Sequence, residues 1–357
     1  MGVNATACAP RRIELPDADP AAWREPLGTS TRAPSADEVV PEHPAPWWRA
    51  SLGRAVSGPP AMGKDVIVAV GLDRYLTVLE RQTGDRLWRK RLNAPGAASP
   101  LVDGNRVYAA TGGREGRLFG FTLDGKRRWD RGVGPITGPI ALADSLLIAA
   151  TEVGQVVACD AGTGEVRWTR RLTQAIRAGV LPVTGAVLIA TDDSVFRLAL
   201  ATGEIEARAG LPGTAVAPAA RQGDTVVATT ADGQIVTFRA GDLSLIWSLD
   251  VGAPVFGGPA IARDSVFAVS IRGVLWRVPL GNPDAADGIP IGAAVRAPAS
   301  PVRHGVLIGT LGGEIVLVAG GAVMPQGRVE GPIEQAVVVS NGAMFVVDGR
   351  GRLHAWR

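Results

Sequence analysis

The sequence predicts an all-β fold: an eight-bladed β-propeller of four-stranded blades, closed by a strand from the N-terminal side of the ring. Three sets of residues, repeating in phase, predict it. The first is a turn that leads into a tryptophan: Thr83-Gly84-Asp85 before Trp88, Asp124-Gly125 before Trp129, Thr163-Gly164 before Trp168. Thr202-Gly203 follows in the next place, with Ala207 where the tryptophan is due, and Trp247 closes the unit after it. The steps between these slots are 41, 39, 39 and 40 residues. The second set is Gly116, Gly154, Ser194, Gly233, Gly273, Gly313 and Gly351, each just ahead of a short apolar run. The third is a small residue followed by proline: Gly58-Pro59, Ser99-Pro100, Gly138-Pro139, Ala217-Pro218, Gly258-Pro259 and Ser300-Pro301. A fixed period near 40 residues marks one supersecondary unit stacked many times.

Each unit reads as four strands. In the second, Ala98–Val102 is followed by the turn Asp103-Gly104-Asn105, then by the strands 106–110, 117–121 and a last one carrying Arg128-Trp129. Asp-Gly and Thr-Gly pairs supply the positive backbone angles that tight hairpins need. Runs such as Val66-Ile67-Val68-Ala69-Val70 are apolar throughout, as strands covered on both sides must be. Units begin near residues 57, 98, 137, 178, 215, 257, 299 and 334, and the eighth has only three strands before the chain stops. Trp48-Arg49-Ala50-Ser51-Leu52 matches Trp88-Arg89-Lys90-Arg91-Leu92 and supplies the missing strand, which removes an exposed edge. The domain reading is a leader and disordered tether over 1–44, rich in Pro, Ala, Asp and Glu, and one propeller over 45–357.

Composition excludes several functions. The chain has 357 residues, 46% of them hydrophobic, enough for a large core, but no apolar stretch long enough to cross a membrane as a helix. Cys8 falls in the polar leader and Cys159 in an apolar strand, so no disulfide, zinc or redox pair is expected. His43, His304 and His354 have no metal-binding spacing. Aromatics are 5% of residues and the tryptophans fill repeat slots, which argues against a nucleic-acid stacking platform. Net charge is −3 over 1–44, +7 over 45–172 and −1 over 173–357. The excess sits on fourth strands, at Arg89-Lys90-Arg91, Lys126-Arg127-Arg128 and Arg170-Arg171, where it opposes edge-to-edge pairing or, in the alternative reading, meets anionic headgroups or an acidic partner.

The turn-plus-tryptophan signature resembles the PQQ-repeat propellers; Trp129-Asp130 is a lone WD pair without the Gly-His partner of the WD40 class. Over 45–357, eight blades with an N-terminal closing strand are similar to the BamB family of outer-membrane assembly lipoproteins. That resemblance implies a non-catalytic interaction scaffold, a monomeric propeller within a complex, at the periplasmic face of the outer membrane. Its partner would be a protein, an outer-membrane β-barrel assembly protein, with membrane contact only through a lipid anchor and no nucleic acid. The alternatives are a propeller subunit of another extracytoplasmic complex or a PQQ-dependent quinoprotein-like enzyme. The latter resemblance would imply a Glu, Asn and Asp calcium site and adjacent cysteines. The chain has no adjacent cysteines and its few asparagines fall mostly in turns, so no cofactor, metal or catalytic residue is expected.

Ala5-Thr6-Ala7-Cys8 resembles the end of a bacterial lipobox, which implies lipidation at Cys8. Only seven residues precede it, fewer than a signal peptide needs; a start site placed too late or a trimmed sequence would account for this, and the alternative reading is a free cysteine in a loose tail. The BamB resemblance also implies docking through an apolar-plus-arginine loop, helped by acidic residues in the loop entering the next blade. Ile176-Arg177, with Pro182 five residues on, fits the first part, as does Val295-Arg296 with Pro301. The acidic part is unmatched, since Gly213 and Ala215 hold its places before Pro218.

Overall fold

The computed structural model describes residues 37–41 and 44–357, and in it the strands form eight four-stranded antiparallel sheets. They are numbered here as blades 1–8 in chain order. Blade 2 consists of Leu101–Asp103, Arg106–Ala110, Arg117–Thr122 and Arg127–Gly132, running from the propeller axis outward. The two middle strands of a blade are covered on both faces by neighbouring blades, so their apolar residues run on without alternation. Val66–Val70 of blade 1 is buried along its whole length. The core is therefore a set of layers between blades rather than one centre. Between blades 2 and 3, for example, Leu101, Tyr108 and Leu118 meet Ile140, Leu147 and Val157.

The ring closes as the sequence predicts. Pro46–Ser51 pairs antiparallel with Arg352–Trp356, with Trp48 opposite Ala355 and Ala50 opposite Leu353. Leu52 donates its N–H to Gly351 at 2.8 Å, and Ala45 and Arg357 exchange two backbone bonds of 3.0 Å. The buried Arg81 of blade 1 adds a 2.7 Å bond to the Ser340 carbonyl of blade 8. Glu38 and Val40, at the end of the segment read as a tether, lie against the last blades: Arg303 donates its N–H to the Glu38 carbonyl at 2.9 Å, and Val40 packs with Val302, Val339 and Trp356.

The tryptophan slot is a clip between blades. Five outer strands carry the tryptophan, and its indole donates to a carbonyl in the last hairpin of the next blade: Trp48 to Arg81 at 3.1 Å, Trp88 to Leu123 at 2.7 Å, Trp129 to Ala161 at 3.1 Å, Trp168 to Leu200 at 2.8 Å and Trp247 to Leu280 at 2.9 Å. The rings of Trp48, Trp88, Trp129 and Trp168 lie on a glycine of that hairpin. A β-carbon on Gly203 would stand 2.4 Å from the Trp168 ring, and its φ of +70° favours glycine as well. Blade 4 lacks the tryptophan, and Arg197, paired across from Ala207, donates instead to the Ala240 carbonyl at 3.2 Å.

The small-residue–proline marker sits at the axis, where backbones of successive blades touch. A side chain on Gly138 would come within 2.7 Å of the Gly179 N–H, and one on Gly58 within 2.9 Å of the Ser99 N–H. Basic side chains of the outer strands do more than guard edges. Arg131 and Arg170 donate to the Gly164 and Gly203 carbonyls of the following blades at 2.8 and 2.6 Å.

Candidate functional site

The antiparallel order gathers two sets of loops on one face of the disc, called upper here: the loops that enter each blade and the hairpins between its second and third strands. The remaining hairpins form the lower face. The upper hairpins are stapled by a side chain the sequence reading missed. Thr111, Thr151, Thr191, Thr230, Ser270 and Thr310 are all buried and accept from the N–H that opens the third strand, as Thr151 does from Gln155 at 3.0 Å. Asp348 takes this place in blade 8, accepting from Arg352 and facing His354 at 3.0 Å. The signal was in the sequence, as a hydroxyl residue at the 39- to 40-residue step.

The candidate docking residues separate into two kinds. Ile176 and Val295 are 0% and 1% exposed, packed between blades 3 and 4 and between blades 6 and 7. The expectation that they offer aliphatic surface to a partner is therefore corrected: Ile176, which opens an inner strand, and Val295, in the loop that enters one, both point into the packing between blades. Their arginines point out. The Arg177 side chain is 48% exposed, with Nε 3.4 Å from Asp192 Oδ1 and Nη1 3.9 Å from Glu152 Oε1. Such open ion pairs add little stability but hold the guanidinium over the face. Arg296 is 53% exposed, 3.9 Å from Glu334, and stacks over Phe256 at 5.3 Å.

The two arginines occupy different settings. Arg296 lines the central funnel, about 230 Å³, together with Ser57, Pro139 and Pro218 of other blades. Arg177 stands on Ile176–Val183, at eight residues the longest of the inner strands, where Gly179-Val180 replaces the small-residue–proline pair. An exposed aliphatic residue is nonetheless at hand: Val153, adjacent in the chain to Glu152, is 49% exposed. The acidic residue absent from the loop entering blade 5 is also supplied from elsewhere. Asp232, on the hairpin of blade 5, accepts from the Thr214 N–H at 2.9 Å, and its carboxylate covers the open side of Gly213. Sequence reading missed it because the two lie 18 residues apart.

Other reactive groups are structural. Cys159 is buried and its thiol is pushed up to about 11, so it is no nucleophile near neutral pH. Asp160 is held down to about 2, first by its hydrogen bond from Arg167 and then by the Thr163 N–H, in a turn of blade 3. Among the described residues no group of three or more His, Cys, Asp or Glu is placed to hold a metal ion. Cys8 lies outside the described residues.

Comparison with known proteins agrees with this architecture. The outer membrane protein assembly factor BamB of Burkholderia pseudomallei is 33% identical over 168 residues, which cover 44% of this chain and 43% of that one. The match thus spans less than half the length of that curated relative. The crystal structure of BamB from Moraxella catarrhalis superposes with a TM-score of 0.76 at 14% identity, covering 88% of this chain and 99% of that one. A quinohemoprotein alcohol dehydrogenase of Pseudomonas putida HK5 superposes with a TM-score of 0.77 at 12% identity, covering 95% and 80%. At such identities these two structures show the shared propeller alone. The model of a family described as outer membrane protein assembly factor BamB matches residues 41–135 and 114–275, well over half of the sequence, and the chain belongs to that family.

Proposed function

We propose that this protein is a non-catalytic scaffold in outer-membrane protein assembly, held at the periplasmic face of the outer membrane with Cys8 as its lipid anchor. It docks a β-barrel assembly protein through the upper face around Arg177. The observation that carries this reading is the setting of Arg177. It projects half-exposed from the inner strand of blade 4, framed by the carboxylates of Asp192 and Glu152, with the exposed Val153 beside Glu152. Val153 thus takes the aliphatic part that the buried Ile176 cannot, and Asp232 supplies the acidic part. A guanidinium beside an apolar side chain gives both charge-assisted hydrogen bonds and a desolvated contact, the composition of an interface anchor.

Titration of the purified β-barrel assembly partner against Arg177→Ala and Arg296→Ala tests it, with both variants first shown to unfold like the parent. Loss of a true anchor costs about 2 kcal/mol or more, roughly thirtyfold in affinity. Arg177→Ala is expected to show that loss, and Arg296→Ala a smaller one. Weakening by Arg296→Ala alone would move the docking site to the funnel, and no effect from either would remove the upper face from the reading.

A further inference from the structure

The indole clip that ties successive blades is missing between blades 6 and 7. Arg277, fourth in its strand, pairs in register with Asp287, as Ala158 does with Trp168 in blade 3. Asp287 thus stands in the tryptophan slot. The receiving side is altered too. The last hairpin of blade 7 is cut to Gly320 and Gly321, between the strands Glu314–Ala319 and Ala322–Arg328, so the glycine shelf is gone. Gly320 occupies the place whose carbonyl accepts an indole N–H elsewhere, directly after the third strand.

What remains is a groove of about 650 Å³ opening on the lower face. The equivalent groove between blades 2 and 3, with Trp129 in it, is about 370 Å³. The floor between blades 6 and 7 is apolar, with Phe267, Leu275 and Ile289 on one wall and Val306 and Val318 on the other. The rim is basic: Arg263, Arg277 and Arg303, with His304, against Asp287 alone. Arg263 gives its guanidinium hydrogen bonds to the carbonyls of Arg303 and Gly305, which leaves its charge uncompensated. Arg277 and Arg303 form no ion pair with any described residue. Five other junctions are filled by an indole and the one at Ala207 by Arg197, whose charge is met by Glu206 at 2.9 Å, while Met324 stands in register in the slot of blade 7.

We propose that this groove binds an acidic peptide segment of a partner protein that carries an aromatic side chain. The ring takes the place the indole holds at other junctions, over the apolar floor, and a ring N–H or O–H donates to the Gly320 carbonyl. Carboxylates flanking the aromatic residue meet Arg277 and Arg303. The geometry of the ring site is the fold's own, repeated five times in this chain with tryptophan as occupant. The charge is complementary to an acidic segment, since three arginines face one aspartate. The site is on the opposite face from Arg177 and stands independently of the docking reading above.

The probe is a labelled seven-residue peptide, a central tryptophan with three acidic residues on each side, titrated by fluorescence anisotropy against the whole chain. Three changes are each expected to weaken binding at least tenfold: Ala for Trp in the peptide, Arg277→Glu, and Asp287→Trp, which refills the slot. Asp287→Trp is also expected to raise the urea midpoint, which shows that the variant is folded and the groove filled. Equal binding of the alanine peptide, or no effect of Arg277→Glu, would reduce the contact to diffuse charge and overturn the proposal. The chain's own residues 1–36 contain Asp17, Asp19, Trp23 and Glu25. If only a variant starting at residue 37 binds the peptide, the groove belongs to that segment and the partner assignment falls.

Discussion

Replacing Trp168 by alanine takes out the indole that ties blade 3 to blade 4. The side chain is 8% exposed, sits on Gly203 and donates to the Leu200 carbonyl at 2.8 Å. Truncating a buried tryptophan to alanine costs about 3–5 kcal/mol, combining lost burial with the cavity left behind. The hydrogen bond is the smaller share, about 1 kcal/mol. Trp168→Phe keeps a ring over Gly203 and loses the N–H, so it should cost about 1–2 kcal/mol. Urea unfolding followed by far-ultraviolet circular dichroism measures both, with the slope checked for constancy so that midpoints compare directly. An alanine variant within about 1 kcal/mol of the parent would refute the clip as a source of stability. A phenylalanine variant as unstable as the alanine one would place the energy in the hydrogen bond, against the burial argument.

Two further outcomes follow from the closing strand and from blade 3. Deleting residues 1–53 removes Pro46–Ser51, Trp48 and the buried Leu52, which exposes the edge of Arg352–Trp356; it should lower the urea midpoint and cause self-association in light scattering, whereas deleting 1–36 should change neither. Equal behaviour of the two would contradict closure by this strand. The Asp160 carboxyl, depressed by Arg167 and the Thr163 N–H to about 2, makes a contribution that is full above the ordinary carboxylate range near 4 and is lost as pH falls through about 2. Arg167→Ala should move its titration midpoint upward in a carbon-detected NMR titration, and an unmoved midpoint would assign the depression to the turn N–H groups instead.

Much of the fold was legible because its determinants are local. The hairpin glycines at 84, 125, 164 and 203 all take positive φ, and a tryptophan follows the first three at the same offset, so blade count and blade length can be read from spacing. The closing strand was legible for the same reason: Trp48 to Leu52 is a copy of Trp88 to Leu92 displaced by one repeat. The stapling hydroxyls were equally periodic, but a threonine inside an apolar run does not announce which N–H it will meet.

The site was less legible, because it depends on which way a side chain faces and on what comes to lie beside it. Ile176 and Arg177 read as one exposed pair, yet the packing of blade 3 against blade 4 buries the first and frees the second. Asp232 comes to Gly213 only because the loop entering blade 5 and that blade's own hairpin share the upper face. Asp287 becomes meaningful only in register with Arg277, beside a blade whose hairpin has been shortened. The sequence by itself determined the repeat, the number of blades and how the ring closes, since those follow from turn chemistry and period within each unit. Tertiary structure alone decided which residues present a surface, because in a propeller every blade is buried or exposed by its neighbours, and those contacts join residues about 40 positions apart.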